Sequence, residues 1–458
     1  ALGLRTPDLE RKQRGAWYTP DELVQVLAAG ITAEFTPRSG DTVRVVDPAC
    51  GDGRLLTAVG DRLTAGGSAV ELIGMDIDSS ALEAITDRRI RPMHADALAH
   101  DWSDHSFDLV VGNPPFLSQM AAATTRGGSS RHGGGPYADA AVEFLALSIR
   151  LARPGGRVAL VLPQSVLGAR DAATVREHVD RSATLSWSWW EPEQAHFDAS
   201  VNVCVLGFEL HHRGRRAHRA ARPWTSVVTD RLDLPSLDIA GLRVDGSLSD
   251  RAELTVNFRD EYYALVPAVS DSVSGPPLVT SGLIDPGVCH WGERPVRFAK
   301  QRFDAPRVAV DRLEGRFRRW ADRKLVPKVL VANQTRIIEA VADPAGEWLP
   351  GVPVTTATPA PGAAVEEIAA VLTSPVASLA AWHHGAGTGL STRTVRVGPA
   401  PLGAVPWPAG DLSAATSALG AGDLAGCADA VCAAYDLDAV ETDRLVSWWT
   451  GLLPVDRA

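Results

Sequence analysis

Between residues 42 and 210 the chain alternates short runs of apolar, often β-branched residues with longer segments whose apolar positions recur at helical spacing. The short runs are apolar throughout rather than at every second residue. Strands of a parallel sheet covered on both faces read this way. Strands are expected near 43–47, 71–76, 90–94, 107–112, 156–162, 183–190 and 201–209, and helices near 20–34, 54–65, 79–87, 138–152 and 165–180. No convincing helix separates the last two strands, so an antiparallel hairpin is expected at one sheet edge. Pro154-Gly155-Gly156 should stop the fourth helix before its strand, and Ser165 and Asp171 are candidate cap or first-turn residues of the fifth. The expected fold class is α/β, with residues 1–212 forming one domain.

The pattern breaks after residue 210. Residues 213–250, rich in Arg, Pro and Asp, read as a linker. From 251 to 410 short strands, such as Lys328–Ala332 and 336–341, are interrupted by turns at Pro276-Pro277 and Pro359-Ala360-Pro361, as in a mixed, β-leaning second domain. Residues 411–458 turn helical, closing on an amphipathic segment around Val440, Trp448 and Trp449. The run 124–135 (TTRGGSSRHGGG) is of low complexity and is expected to be disordered without ligand.

Two runs carry the chemistry. The first, Asp47-Pro48-Ala49-Cys50-Gly51-Asp52-Gly53, joins a strand to a helix with glycines where the backbone must turn tightly and approach a ligand. Leu56 stands where a dinucleotide fingerprint has its third glycine. An acid ends the first strand instead, which suits an ammonium group, such as the methionine end of S-adenosylmethionine, better than a pyrophosphate. Asp76, in Gly74-Met75-Asp76-Ile77-Asp78, ends the second strand where a carboxylate can accept from ribose hydroxyls. Its other reading is a helix cap, a role that Asp78 or Ser79 can equally fill. Asp96, in His94-Ala95-Asp96-Ala97-Leu98, follows the third strand, where it can accept from an adenine amino group. Successive carboxylates at strand ends would line the crevice in which open α/β sheets bind ligands.

The second run, Asn113-Pro114-Pro115-Phe116, closes the fourth strand. An amino nitrogen conjugated to a purine is a poor nucleophile because its lone pair is delocalised. Two acceptors, the Asn113 side-chain oxygen and the Pro114 carbonyl, can hold both amino hydrogens and favour a pyramidal nitrogen. The prolines fix the backbone so that the carbonyl faces the pocket, and Phe116 offers a face for an extruded base. A sulfonium methyl is already activated, so positioning and charge placement do most of the work.

Together these runs resemble the amino-directed, S-adenosylmethionine-dependent DNA methyltransferases, and within them the N6-adenine group whose target-recognition domain comes last. Gly15-Ala16-Trp17-Tyr18-Thr19-Pro20 is similar to that group's N-terminal motif, and Pro154-Gly155-Gly156 and Val161-Leu162-Pro163 to its fifth-strand region. Phe197, with 201–206 behind it, resembles the position that meets the flipped base edge-on. The resemblance is specific over roughly 15–210 and only general beyond 250. It implies a class I, Rossmann-like methyltransferase sheet and S-adenosylmethionine as cofactor. Tyr18, Thr19, Pro20, Asp47, Pro48, Ala49, Gly51, Gly53, Asp76, Ile77, Asp96, Ala97 and Asn113 would then contact the cofactor, and Asn113, Pro114, Pro115, Phe116 and Phe197 would surround the reacting base. It further implies an α+β target-recognition domain with a helical tail, and segments such as 327–331 and 387–390 resemble parts of such domains. Double-stranded DNA is the implied partner, with methylation in a restriction-modification or phage-defence system alongside a cognate endonuclease or defence subunit. No nuclease-like segment is recognisable before Gly15, so the methylating part alone is expected.

Composition adjusts this picture only slightly. Hydrophobic residues make up 45% and charged residues 22%, ordinary for a globular chain of 458 residues with more than one core. The net charge of −10 argues mildly against a nucleic-acid partner, but phosphate binding depends on local potential. Between Glu293 and Lys328 cations crowd: Arg294, Arg297, Lys300, Arg302, Arg307, Arg312, Arg316, Arg318, Arg319, Arg323, Lys324 and Lys328. A second basic stretch, RGRRAHRAAR, covers 213–222. The five scattered cysteines suggest reduced thiols in the cytoplasm and offer no metal-ligand spacing. No apolar run approaches the roughly 20 residues of a membrane span, and no signal peptide is legible. RNA or protein glutamine amides are alternative substrates, against which Phe116 and the large second half count. A partner-dependent, individually silent DNA-binding subunit is the remaining alternative.

Overall fold

The computed structural model describes residues 19–37, 40–116, 132–135, 138–191, 202–212, 222–257 and 259–453. The chain divides into two compact units, Ala1–Val227 and Val228–Ala458.

The first unit is an α/β sheet flanked by helices. In chain order its elements are α1 (Asp21–Thr32), β1 (Val43–Asp47), α2 (Arg54–Ala65), β2 (Val70–Asp76), α3 (Ser79–Glu83), β3 (Ile90–His94), β4 (Phe107–Gly112), α4 (Ala140–Leu151), β5 (Ala152–Pro163), α5 (Ala173–Ser182), β6 (Ala183–Trp189) and β7 (Val203–Leu210). The seven strands lie in the order β3-β2-β1-β4-β5-β7-β6. Strands β1 to β5 run parallel, while β7 is antiparallel to both β5 and β6, the expected edge hairpin. Val45, Val46, Leu109, Val110 and Val111 are fully buried because helices cover both faces of the sheet centre. Removing each such side chain from water is worth roughly 1.5–3 kcal/mol. Helix α1 buries Leu23, Val24, Leu27, Ala28 and Ile31, one stripe of its surface. Helix α2 packs so closely on β2 that a Cβ at Gly60 would meet Leu72 Cδ1 at 2.8 Å.

Three local expectations are corrected. Pro154-Gly155-Gly156 does not separate helix from strand; α4 ends at Leu151, and these residues lie inside β5. There Gly155 takes a φ of 74° and the pairing with β4 shifts between Phe107 and Leu109, so they form a bulge. Helix α3 stops at Glu83. The fifth helix starts only at Ala173, after 3₁₀ turns at Gln164–Leu167 and Arg170–Ala172 in which neither Ser165 nor Asp171 supplies a side-chain cap.

The second unit holds a four-stranded antiparallel sheet in the order Ala340–Asp343, Lys328–Ala332, Val354–Pro359, Ala252–Val256. Lys328–Ala332 is the strand expected from sequence. The stretch 336–341 is not: Gln334–Thr335 pairs with Val395–Arg396, and the next strand begins at Ala340. Helices Val365–Leu372 and Pro375–Gly385 are largely buried, and Ser413–Gly420, Leu424–Ala434 and Ala439–Thr450 make the helical tail. Trp449 is fully buried, its indole donating to Ser378 Oγ at 3.2 Å. Within 213–250 the described part contains helix Ser226–Arg231 and strand Val244–Ser247, the latter paired with Pro406–Pro408. Among the described residues no single helix is long and apolar enough to cross a membrane.

Candidate active site

The carboxyl ends of the first unit's central strands place Asp96, Asp76, Asp47 and Asn113 side by side, in the spatial order β3-β2-β1-β4. Asp47 is the last residue of β1 and is 1% exposed. Its Oδ1 accepts from the Ala49 amide at 2.9 Å, while Oδ2 is a buried atom with no hydrogen-bond partner among the described residues. Burial pushes this carboxyl up to about 8; the Ala49 amide opposes the shift, and the charges of Asp76 and Asp52 add to it. A Cβ at Gly112 would stand 3.2 Å from Asp47 Oδ1, so the neighbouring strand leaves little room there for a side chain.

The glycine turn wraps around this acid. Gly51 (φ 53°) and Gly53 (φ 78°) are in the left-handed region, and Gly53 is the residue at the N-terminus of α2. The Gly51 amide donates to Asp76 Oδ2 at 2.8 Å, and the Asp78 amide donates to Asp76 Oδ1 at 2.9 Å. Asp76 therefore holds the turn in shape, and each of its oxygens keeps acceptor capacity for a ligand hydroxyl. Asp78, not Asp76, caps α3 by accepting from Ser80. Ile77 beside it is 63% exposed, an apolar side chain standing open next to an acid. Asp96 is exposed and accepts from the Leu98 amide at 3.0 Å; Ala97 is buried and its carbonyl accepts from the Trp102 indole. Pro48 is buried and Ala49 half-buried. Burial, with the charges of Asp47 and Asp76, pushes the Cys50 thiol far up, so it is a neutral packing group.

Asn113 follows β4 directly, and its Nδ2 donates to Thr19 Oγ1 at 3.0 Å, which fixes the rotation of the amide. Thr19 is itself 6% exposed, and its carbonyl accepts from Arg54 Nη1 at 3.0 Å. Arg54 is in turn gripped by Asp52, at 3.0 and 3.1 Å through Nε and 2.7 Å through Nη2. Pro20 then leads into α1 with extended backbone. Thus Thr19, the glycine turn and Asn113 are linked through one chain of contacts. Pro114 and Phe116 are buried, Phe116 at 8% exposure, and Pro115 is half-buried. Tyr18 and Phe197 lie outside the described residues.

Sequence reasoning missed three participants. Arg54 and Asp52 were not singled out, although an acid and a base two residues apart at a helix start are a legible signal. Glu143 gave none: it is 2% exposed, and its carboxylate accepts from the His132 and Gly134 amides, both at 2.6 Å. With the Gly135 amide donating to the Asp171 carbonyl, it fixes 132–135; the rest of the run expected to be disordered, 124–131, lies outside the described residues. In the second unit Lys328 must be struck from the phosphate-facing cations, because it is fully buried and ion-paired with Asp343.

A buried carboxylate oxygen lacking a donor, with further acids on both sides of its turn, suits a cationic group and would repel a pyrophosphate. The donor set therefore fits the ammonium and ribose of S-adenosylmethionine rather than a dinucleotide. Among the described residues no group of three or more acidic, His or Cys side chains is placed to hold a metal.

Comparison with known proteins agrees with this geometry. Residues 6–218 match the N-6 DNA Methylase family. The type II methyltransferase M.TthHB8I of Thermus thermophilus is 27% identical over 198 residues, 38% of this chain and 40% of that protein. M.BanIII of Aneurinibacillus aneurinilyticus is 28% identical over 145 residues, 26% and 24% of the two chains. The match thus spans less than half the length of these curated relatives. Among solved structures, the Type IIL restriction-modification enzyme MmeI in complex with DNA superposes with a TM-score of 0.51 at 12% identity, covering 98% of this chain and 74% of that one. At that identity the likeness is one of fold.

Proposed function

We infer, from the match of residues 6–218 to the N-6 DNA Methylase family, that this chain is an adenine-specific DNA methyltransferase acting on double-stranded DNA at a short sequence. The observation that carries the reading is the strand-end array, in which the unpartnered buried oxygen of Asp47 stands one strand away from Asn113. S-adenosylmethionine, when bound, supplies a methyl group activated by its sulfonium. Asp47 would receive the cofactor's ammonium and Asp76 its ribose, with Ile77 and Ala97 along the adenine and Asp96 at its amino group. Asn113, its rotation fixed by Thr19, would accept one hydrogen of the target amino group, and the Pro114 carbonyl the other. The nitrogen lone pair is thereby localised toward the methyl donor, and the methylated, cationic amino nitrogen then releases its extra proton to solvent. Reaching such a pocket requires extruding the base, at a cost of a few kcal/mol in unstacking.

The relatives are named Type II methyltransferases, and we place the chain in a restriction-modification or phage-defence system, with a cognate endonuclease or a defence subunit as protein partner. The test is incubation with isotopically labelled S-adenosylmethionine and unmodified plasmid DNA, followed by nucleoside mass spectrometry. Labelled N6-methyladenine supports the reading. Label in cytosine, or in RNA or protein instead of DNA, overturns it, and label that appears only after a partner is added favours the silent-subunit alternative.

A further inference from the structure

The second unit carries a β-hairpin whose construction is costly for a merely solvated surface. Strands Val296–Phe298 and Gln301–Phe303 pair antiparallel, with Val296 opposite Phe303, Arg297 opposite Arg302 and Phe298 opposite Gln301. One face is anchored. Val296 (8% exposed) joins the apolar cluster containing Leu330 and Val341, and Phe298 (4% exposed) joins the one containing Leu278 and Trp320. The other face presents Arg297 and Arg302, both exposed and directly opposite each other. Like charges in that relation destabilise a strand pair. The two turn residues, Ala299 (φ 50°) and Lys300 (φ 64°), are both left-handed, a conformation that two-residue hairpins ordinarily assign to Asn-Gly. Lys300 is thus held at the tip of the ribbon.

Neighbouring cations behave differently. Arg294 bonds Asp285 at 2.7 Å, Arg316 bonds Asp260 at 2.6 Å and Arg318 bonds Asp322 at 3.3 Å. Among the described residues no ion pair involves Arg297 or Lys300, and Arg302 has only Asp304 at 3.7 Å, with both side chains more than 70% exposed. An anchored ribbon with opposed arginines and a strained lysine tip gains stability when a polyanion lies along its outer face. A two-stranded ribbon also matches the width of the major groove.

Resting on the function proposed above, we propose that the Val296–Phe303 hairpin is a DNA-contacting ribbon, with Arg297, Lys300 and Arg302 neutralising phosphates of the duplex that the chain methylates. The test measures binding of the full chain to a fluorescent mixed-sequence duplex by anisotropy across a salt series. R297Q/K300Q/R302Q is compared with R294Q/R316Q/R318Q, which removes the same charge from paired arginines. Losing three phosphate contacts lowers the slope of log affinity against log salt by about 2.7 and weakens binding roughly 100-fold near physiological salt. The paired-arginine variant should stay close to the unaltered chain. Equal losses in both variants, or an unchanged slope in the hairpin variant, would overturn the proposal while leaving the methyltransferase reading in place. Absence of duplex binding by the unaltered chain would overturn both. Thermal unfolding accompanies each measurement, and the hairpin variant should melt no earlier than the parent because the opposed charges are gone. K300G, which suits left-handed backbone, provides a single-contact version with a slope reduced by about 0.9, should the triple variant melt early.

Discussion

Asp47 allows a quantitative test at the cofactor end of the crevice. Its carboxyl, pushed up to about 8 by burial, is mostly protonated at neutral pH when no cation is present. Ionising it near pH 7 costs about 1.4 kcal/mol, one pKa unit of free energy. An ammonium placed against Oδ2 would restore the charged form, so binding should release close to one proton. S-adenosylhomocysteine, which retains the ammonium, should therefore bind about 50-fold more weakly near pH 6 than near pH 8, following the protonated fraction of a group with that pKa. Titration calorimetry in buffers of different ionisation enthalpy reads both the affinity and the proton released. The ligand-free protein should respond in the opposite direction. Its native Asp47 holds a proton that the unfolded chain gives up from about pH 4, so this group's contribution to stability is full below that value and is lost as pH rises through about 8. Asp47→Asn should abolish the pH dependence of binding. An affinity flat between about pH 6 and pH 8, with no buffer-dependent heat, would show that Asp47 does not receive the ammonium.

Two further substitutions examine separate links. Thr19→Val removes the acceptor that Asn113 Nδ2 uses, a hydrogen bond worth about 0.5–1.5 kcal/mol. If Thr19 is a positioning residue, turnover should fall by the corresponding factor while the cofactor dissociation constant is unchanged; the reverse split would make it a wall of the cofactor pocket. Lys328→Met strands Asp343 in the core of the second unit and should cost about 3–5 kcal/mol, read by denaturant unfolding. Adding Asp343→Asn should recover much of that loss, because it removes the stranded charge; a Lys328→Met protein as stable as the parent would contradict the buried pair.

The first unit was legible because its signals are local and repeated. Apolar runs ending in Asp47, Asp76 and Asn113 fix both the strands and the edge at which their ends meet, and the strand spanning 43–47 was read to the residue. The glycine turn was legible for the same reason, since only glycine takes the φ values found at 51 and 53 without strain. What escaped depended on distant contacts. The tie of Asp76 to the Gly51 amide crosses from one strand end to another and leaves no trace in spacing. Lys328 looked like one cation in a basic run, and only its pairing across the sheet with Asp343 shows it to be internal. Pro154-Gly155-Gly156 carries the composition of a helix stop but serves as a bulge within β5, because β4 alongside it dictates continued pairing. The second unit was the least readable. Its strands are short, and their partners are far apart in sequence, as with Ala252–Val256 and Val354–Pro359.

The most direct test of the central claim is modified-base sequencing of genomic DNA from a methylation-deficient bacterial host that expresses this chain, with Asn113→Ala as the paired control. The account predicts N6-methyladenine confined to one short sequence motif and absent in the control, whose protein still binds cofactor with unchanged affinity. Methylation that persists in the Asn113→Ala strain would contradict the assigned chemistry, and a soluble, cofactor-binding protein that leaves the genome unmodified would contradict the claim that this chain methylates DNA by itself.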